Sequence, residues 1–334
     1  MVNLEFPGLG IEAFKLDPVV FSLPIFGGIE VRWYGLIIMV GIILAFTYAT
    51  LRAKQAGISF DDMLDLTIFA VLFGIVGARL YYVLTSLDKY DSFYDAIAIW
   101  NGGLAIYGGL IAGGITVLVV CYIKKISFFK VADATAPGVM IAQALGRWGN
   151  FFNGEAYGTV IPEKHPLYFI RMGIYPNDIE GVRGMAYVHP TFLYESLWNI
   201  LGFALINIFY KKKKFDGQWF YAYIAWYGFG RMFIEGLRTD SLYVGVFRIS
   251  QVVGFVCFVV GTLMFTLGSI KARRAEITAG GYDAAYPKFA TTASMPLENT
   301  EAESSNITAT DSQLDTQYTT DAPKEGDNTD GKDN

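Results

Sequence analysis

Arg147 and Asn150 stand three apart in ALGRWGNFFNGEAYG (144–158), at the end of an apolar run, with Asn153 and Glu155 just beyond them. On a helix that spacing puts two side chains on one face. Glycines at 149, 154 and 158 are suited to end the helix and to let backbone approach a ligand closely. A second group, Tyr227, Arg231, Glu235 and Arg238 in YGFGRMFIEGLR, follows the i, i+4, i+8, i+11 spacing of a single helical stripe. Glu235 faces two arginines and Arg147 adds a third, so positive charge is left over. An unpaired guanidinium in or near a membrane is costly unless an anion meets it. Guanidinium suits phosphate, which it grips with a planar two-point fork while staying charged. The chemistry these residues fit is recognition of a phosphate-bearing group. The plainer alternative is that they tie helices together or snorkel to headgroups, Arg238 above all.

Three further motifs belong with them. VRWYGL sets Trp33 and Tyr34 at the start of an apolar run, where an aromatic belt would also place them. NGGLAIYGGLIAGG surrounds Tyr107 with glycines, a pattern that serves close helix packing and also leaves a phenol free to donate a hydrogen bond. YVHPTFLYES has His189 ahead of Pro190, with Tyr194 and Glu195 about a turn later. A histidine at a helix start is either structural or a base.

The elements that must hold these residues are membrane helices. The chain of 334 residues is 53% hydrophobic and only 17% charged, against about 25% charged in an ordinary soluble domain. A bilayer core takes about 20 mostly apolar residues per helix, and the sequence predicts spans over roughly 33–52, 63–84, 102–123, 131–151, 189–210, 218–238 and 249–270. The fourth is the weakest by hydropathy, because it carries Asp133, Pro137 and Arg147. Connections alternate in charge. RAKQAG, KKISFFK, KKKKFDGQ and KARRAE are basic, whereas TSLDKYDSFYD is acidic and 152–188 is long and mixed. Lys and Arg mark the cytoplasmic side, so the expectation is an all-α polytopic protein of seven spans, N-terminus outside and C-terminus cytoplasmic. The arginine groups then fall at outer span ends.

Net charge is -5 overall, but residues 276–334 alone hold 12 acidic and 3 basic residues, which leaves the first 275 mildly positive. The sequence therefore divides into a membrane domain, 1–275, and an acidic tail, 276–334, too polar to repay its ordering entropy and expected to be disordered. Cys121 and Cys257 lie in apolar runs and suggest neither a disulfide framework nor a metal site. No P-loop or carboxylate cluster points to a nucleotide or metal, and no cofactor is expected. The N-terminal stretch lacks the basic-then-apolar pattern of a cleaved leader.

In this order RWYG, GGLAIYGGLIAG, GRWGNFFNGEAYG, HPTFLYES and YGFGRMFIEGLR resemble the motifs of the bacterial prolipoprotein diacylglyceryl transferases, over residues 20 to 270. The resemblance implies a seven-span enzyme of the bacterial cell membrane with its N-terminus outside. It implies that the diacylglyceryl group of phosphatidylglycerol moves to the thiol of a lipobox cysteine in a preprolipoprotein, and that glycerol phosphate leaves. It assigns catalysis to Arg147, Arg231, Glu235, His189 and Tyr107. Phosphatidylglycerol binding falls to Arg147, Tyr34, Asn150, Glu155, Gly158, Tyr227 and Arg238. One departure stands out, since some members carry histidine where this chain has Tyr107. A tyrosine, with a pKa near 10, is a poor resting base and a fair hydrogen-bond donor. His189 and Glu155 are the remaining candidates for a thiol base. A transporter of phospholipid or other anionic lipid is the alternative from the residues alone, though no repeat or inverted symmetry supports it.

Overall fold

The computed structural model describes residues 2–24, 29–87, 90, 92–99, 102–175 and 185–285. Seven helices of 18 residues or more stand among them, with one short helix: α1 (Trp33–Gln55), α2 (Phe60–Leu84), α3 (Phe93–Ile97), α4 (Ile106–Ile123), α5 (Phe128–Asn153), α6 (Thr191–Phe209), α7 (Gln218–Leu237) and α8 (Ile249–Ala285). Five, namely α1, α2, α4, α6 and α8, are long and apolar enough to cross a membrane. The protein is thus a mostly helical, multi-pass membrane protein. α5 and α7 are as long as the others but carry the polar and charged residues of the two arginine groups. The last helix runs on to Ala285, past the point where the sequence begins the tail. The rest of the tail, and parts of the acidic connection and of 152–188, lie outside the described residues.

Helix ends follow local chemistry. Ser59 caps α2 by accepting the amide of Asp62, with Asp61 and Asp62 in the first turn opposite the positive helix terminus. α5 stops at Gly154, whose left-handed backbone (φ 65°) turns the chain away. The start of α7 is held from another helix. Buried Asp133 of α5 accepts the amides of Gly217 and Phe220 at 2.8 and 2.9 Å and pairs with Lys213 at 2.9 Å. That arrangement explains how a carboxylate is tolerated inside α5: the charge it brings is met.

Small residues set the helix contacts, as expected where lipid removes the hydrophobic drive. α2 and α4 meet at Gly77 and Gly108, where an added Cβ on Gly108 would fall 2.4 Å from the Gly77 carbonyl oxygen. α1 and α5 meet at Gly41, Ala45, Gly138 and Ala142, and α7 meets α8 at Gly228 and Gly254. Gly108 and Gly109, directly after Tyr107, therefore serve packing first.

The all-α expectation is corrected. Eight short strands occur among the described residues: β1 (Val2–Phe6), β2 (Ile11–Leu16), β3 (Val19–Leu23), β4 (Ile29–Arg32), β5 (Met172–Ile174), β6 (Ala186–Val188), β7 (Tyr243–Val244) and β8 (Phe247–Arg248). A four-stranded sheet has the order β2-β1-β5-β6, so Leu4 of the N-terminal strand pairs with Ile174, about half the chain away. Its apolar face, Leu4, Phe6, Met172, Ile174, Ala186 and Val188, packs on Phe192 and Phe151, where α6 begins and α5 ends. The sheet therefore rests on the end of the bundle that holds the arginine groups. Pieces this short, paired across such distances, leave no periodic signal of their own.

Candidate functional site

At that end α5, α6 and α7 bring Arg147, Glu195 and Arg231 together. The Glu195 carboxylate takes Arg231 Nη1 on one oxygen at 2.8 Å and Arg147 Nε on the other. Arg231 reaches Glu235 with its second terminal nitrogen, Nη2 to Oε2 at 2.7 Å, the i, i+4 pair expected within one helix. Arg238 Nε lies 3.8 Å from the same Glu235 oxygen, while Asp240 accepts two hydrogen bonds from Arg238, at 3.0 and 2.8 Å. Glu195 and Glu235 are buried, and the arginine side chains are 12 to 23% exposed. Arg231 Nε is buried and finds no acceptor among the described residues.

Glu195 is the residue that the sequence analysis left out of the site. Its signal was present, an ionisable residue inside an apolar span, which by default marks function. Asp240, just past the end of α7, was missed as well. With both counted, the leftover positive charge inferred from Glu235 alone shrinks. Three guanidiniums face two buried carboxylates and a third at the rim. Burial opposes ionisation of Asp240, but the guanidinium of Arg238 outweighs it and holds that carboxyl below the usual carboxylate range. Arg248, the last residue of β8, adds a fourth guanidinium by donating to the Glu235 carbonyl.

Asn150 and Glu155 extend the cluster along α5. Arg147 Nη1 donates to Asn150 Oδ1 at 3.2 Å, and the Asn150 amide donates to Glu155 Oε1 at 3.0 Å. Asn153 donates to the same oxygen at 3.1 Å. The glutamate is thereby folded back over the helix end, and the two asparagines leave its second oxygen free of their contacts. Tyr34 lies flat on Gly149, where any Cβ would strike its ring at 2.5 Å, and neighbouring Trp33 stacks on Phe152 at 5.0 Å. Tyr227 sits one turn before Arg231, within electrostatic reach of Arg231, Glu195 and Arg147.

Gly158 is joined to the same end through its backbone. It forms a β-bridge with Arg238, and its amide donates to the His189 carbonyl at 2.9 Å. A Cβ there would lie 2.6 Å from that of His189. His189 itself has other partners. Its Nδ1 is 3.1 Å from the Tyr194 hydroxyl, and its ring meets His165 edge-on at 5.0 Å. Burial, and then His165, push its pKa below the ordinary histidine value, so the ring is neutral near pH 7. Tyr107, in the first turn of α4, meets Ser250 at 3.4 Å and thus ties α4 to the beginning of α8. Among the described residues no group of three or more His, Cys, Asp or Glu is placed to hold a metal.

Glu195 thus draws two arginines from different helices onto one buried carboxylate, with a third arginine beside them. Residues 18–267 match the family model described as prolipoprotein diacylglyceryl transferase. The phosphatidylglycerol–prolipoprotein diacylglyceryl transferase 1 of Clostridium perfringens is 45% identical over 252 residues, 74% of this chain and 92% of that protein. The Streptococcus suis transferase of the same name is 45% identical over 260 residues, 77% of this chain and 94% of that protein. That of Listeria innocua is 42% identical over 281 residues, 82% and 95% of the two chains. A match that spans the membrane part from α1 into α8, and includes every arginine of the cluster, shows that this chain belongs to the prolipoprotein diacylglyceryl transferase family.

Proposed function

We propose that this protein transfers the diacylglyceryl group of phosphatidylglycerol to the thiol of the lipobox cysteine of a preprolipoprotein, releasing glycerol phosphate. It does so in the bacterial cell membrane, which it crosses seven times with its N-terminus outside and its C-terminus in the cytoplasm. The single observation that carries the reading is the convergence of Arg147 and Arg231, from two helices, on the buried carboxylate of Glu195. The seven-span topology is supported by the seven long helices and by the alternation of basic and acidic connections.

The cysteine sulfur, as thiolate, attacks the glycerol carbon that bears the phosphate ester. A C–S bond forms, the C–O bond breaks, and the electron pair leaves with glycerol phosphate. A thiol with a pKa near 8.5 is already a few per cent ionised at neutral pH, and a cationic site raises that fraction. The harder task is the charge growing on the leaving phosphate. Guanidiniums fixed in advance, in a water-poor site, stabilise it by a few kcal/mol per donor, roughly. Arg147 and Arg231 take that role. Glu195 and Glu235 hold the two guanidiniums in place, while Arg238 is an entrance charge tied to Asp240. Asn150, Glu155 and Tyr34 orient the headgroup, with Tyr227 and the Gly158 backbone completing the wall. Tyr107 donates a hydrogen bond. His189, neutral and paired with Tyr194, is the candidate proton acceptor for the thiol.

Arg147→Ala and Arg231→Ala are expected to abolish transfer by purified, inserted protein from labelled phosphatidylglycerol to a lipobox peptide. Normal thioether formation by either variant would remove the arginines from the mechanism.

A further inference from the structure

At the opposite end of the bundle from the arginine cluster, an open concavity of about 590 Å³ lies between the end of α1, the start of α5 and the segment joining α6 to α7. Its lining carries four cations, Arg52, Lys130, Lys211 and Lys213, and one carboxylate, Asp216. Cations at helix ends on this side are expected simply as topology signals, and those need no fixed arrangement. Arg52 has one. Its Nε donates to the Tyr48 hydroxyl at 2.8 Å, its Nη2 to Asn207 Oδ1 at 2.6 Å, and its guanidinium stacks 3.9 Å over the ring of Tyr210. The Tyr48 hydroxyl donates to the same Asn207 oxygen at 2.7 Å, and the Asn207 amide is fixed on the Phe203 carbonyl. Two helices are thus committed to holding one guanidinium in place.

The charge around it is unequal. Lys213 is neutralised between Asp133 and Asp216, at 2.9 and 2.8 Å. Arg52, Lys130 and Lys211 form no ion pair among the described residues, although all three line the same concavity. A stacked, positioned arginine with two unpaired lysines beside it has the donor set of a phosphate site. We propose that this concavity binds a phosphate-bearing anion, with the phosphate group of an anionic phospholipid at the cytoplasmic face as its occupant. Such a site lies a full helix length from the transfer chemistry and does not depend on it.

The test uses the purified full-length protein in detergent micelles. Phosphatidylglycerol, phosphatidylcholine and inorganic phosphate are titrated in parallel, with bound lipid counted by native mass spectrometry and phosphate followed by calorimetry. Lipid held at the arginine cluster is common to all variants and cancels in the comparison. Lys130→Gln with Lys211→Gln is expected to weaken one phosphatidylglycerol binding event by about thirtyfold, from roughly 1 kcal/mol per cation near a charged headgroup, and to leave phosphatidylcholine unchanged. Gln55→Glu, at an exposed helix position on the same lining, is expected to act in the same direction, and both variants should keep the wild-type melting temperature in the absence of added probe. If the variants weaken phosphate but not lipid, the occupant is a soluble phosphate and the site stands. Equal binding of both probes by wild type and both variants would overturn it.

Discussion

Glu195→Gln is the most informative single change. Glu195 offers one oxygen to each arginine, so glutamine keeps an acceptor for one and turns an NH2 group towards the other. One charge-assisted pair is replaced by two donors facing each other, and three guanidiniums are left with one buried carboxylate, Glu235, and the rim carboxylate Asp240. Breaking a buried pair from one side costs about 3–5 kcal/mol. The lower figure applies here, because the arginines are 13 and 23% exposed and water can soften the loss. About 3 kcal/mol corresponds to a fall of about 6–12 °C in melting temperature for a domain of this size. Transfer should suffer separately, since both guanidiniums remain but lose their common anchor, and a misplacement near 1 Å costs about 100-fold. The assay is thermal unfolding in detergent alongside single-turnover transfer from labelled phosphatidylglycerol. Adding phosphatidylglycerol should stabilise the variant more than the wild type, because its phosphate now supplies a missing counter-charge. A variant with wild-type melting temperature and rate, or one stabilised less by the lipid than wild type, would refute the reasoning.

Other perturbations follow from the same geometry. Arg79, buried in α2, donates to the carbonyls of Asp95, Ala96, Gly102 and Gly103 and so clamps the approach to α4. Arg79→Ala should cost about 3 kcal/mol by leaving those carbonyls unmet, seen as a lower melting temperature and faster proteolysis between residues 92 and 105. Gly158→Ala drives a Cβ against His189 and should cost about 1–3 kcal/mol of stability by overpacking, with loss of transfer as the Arg238 bridge shifts. For His189 the folded pKa lies below the unfolded value near 6.5, so the unfolded state binds the extra proton. Its contribution is therefore complete above about pH 6.5 and is lost as pH falls below it. Unfolding followed from pH 8 to 5 should show that loss, and His189→Gln should flatten it.

Much of this was legible in the chain. The run beginning at Trp33 and the run 218–238 correspond to α1 and α7 nearly to the residue, because apolar length and basic flanks are local properties. The Arg147–Asn150 and Arg231–Glu235 pairs were readable because helical spacing alone puts each on one face. Glu195 was not read as their partner, since nothing in spacing says which span lies beside which. Its place depends on α6 standing between α5 and α7. Arg79 escaped for another reason, in that its partners are backbone carbonyls, which leave no trace in residue type. The sheet was invisible because Leu4 pairs with Ile174 across a stretch of chain that holds five helices, and nothing local to either residue names its partner. The glycines about Tyr107 carried two meanings, and packing against α2 accounts for Gly108 whatever the phenol does.

The cap that Asp133 provides to α7 has a mechanical consequence. α5 and α7 run in the same direction, and the carboxylate of one is locked to the first amides of the other. From Asp133 to Arg147, and from Gly217 to Arg231, the chain advances by the same fourteen residues, about 21 Å at 1.5 Å per residue. The pinned end thus works as the zero mark of a ruler with two parallel scales, and the two guanidiniums come level at the far end because both scales start together. Inserting or deleting one residue in either helix between those marks would slide one arginine by about 1.5 Å and swing it through about 100°. The helices would remain helices, but the shared carboxylate could serve only one of the two.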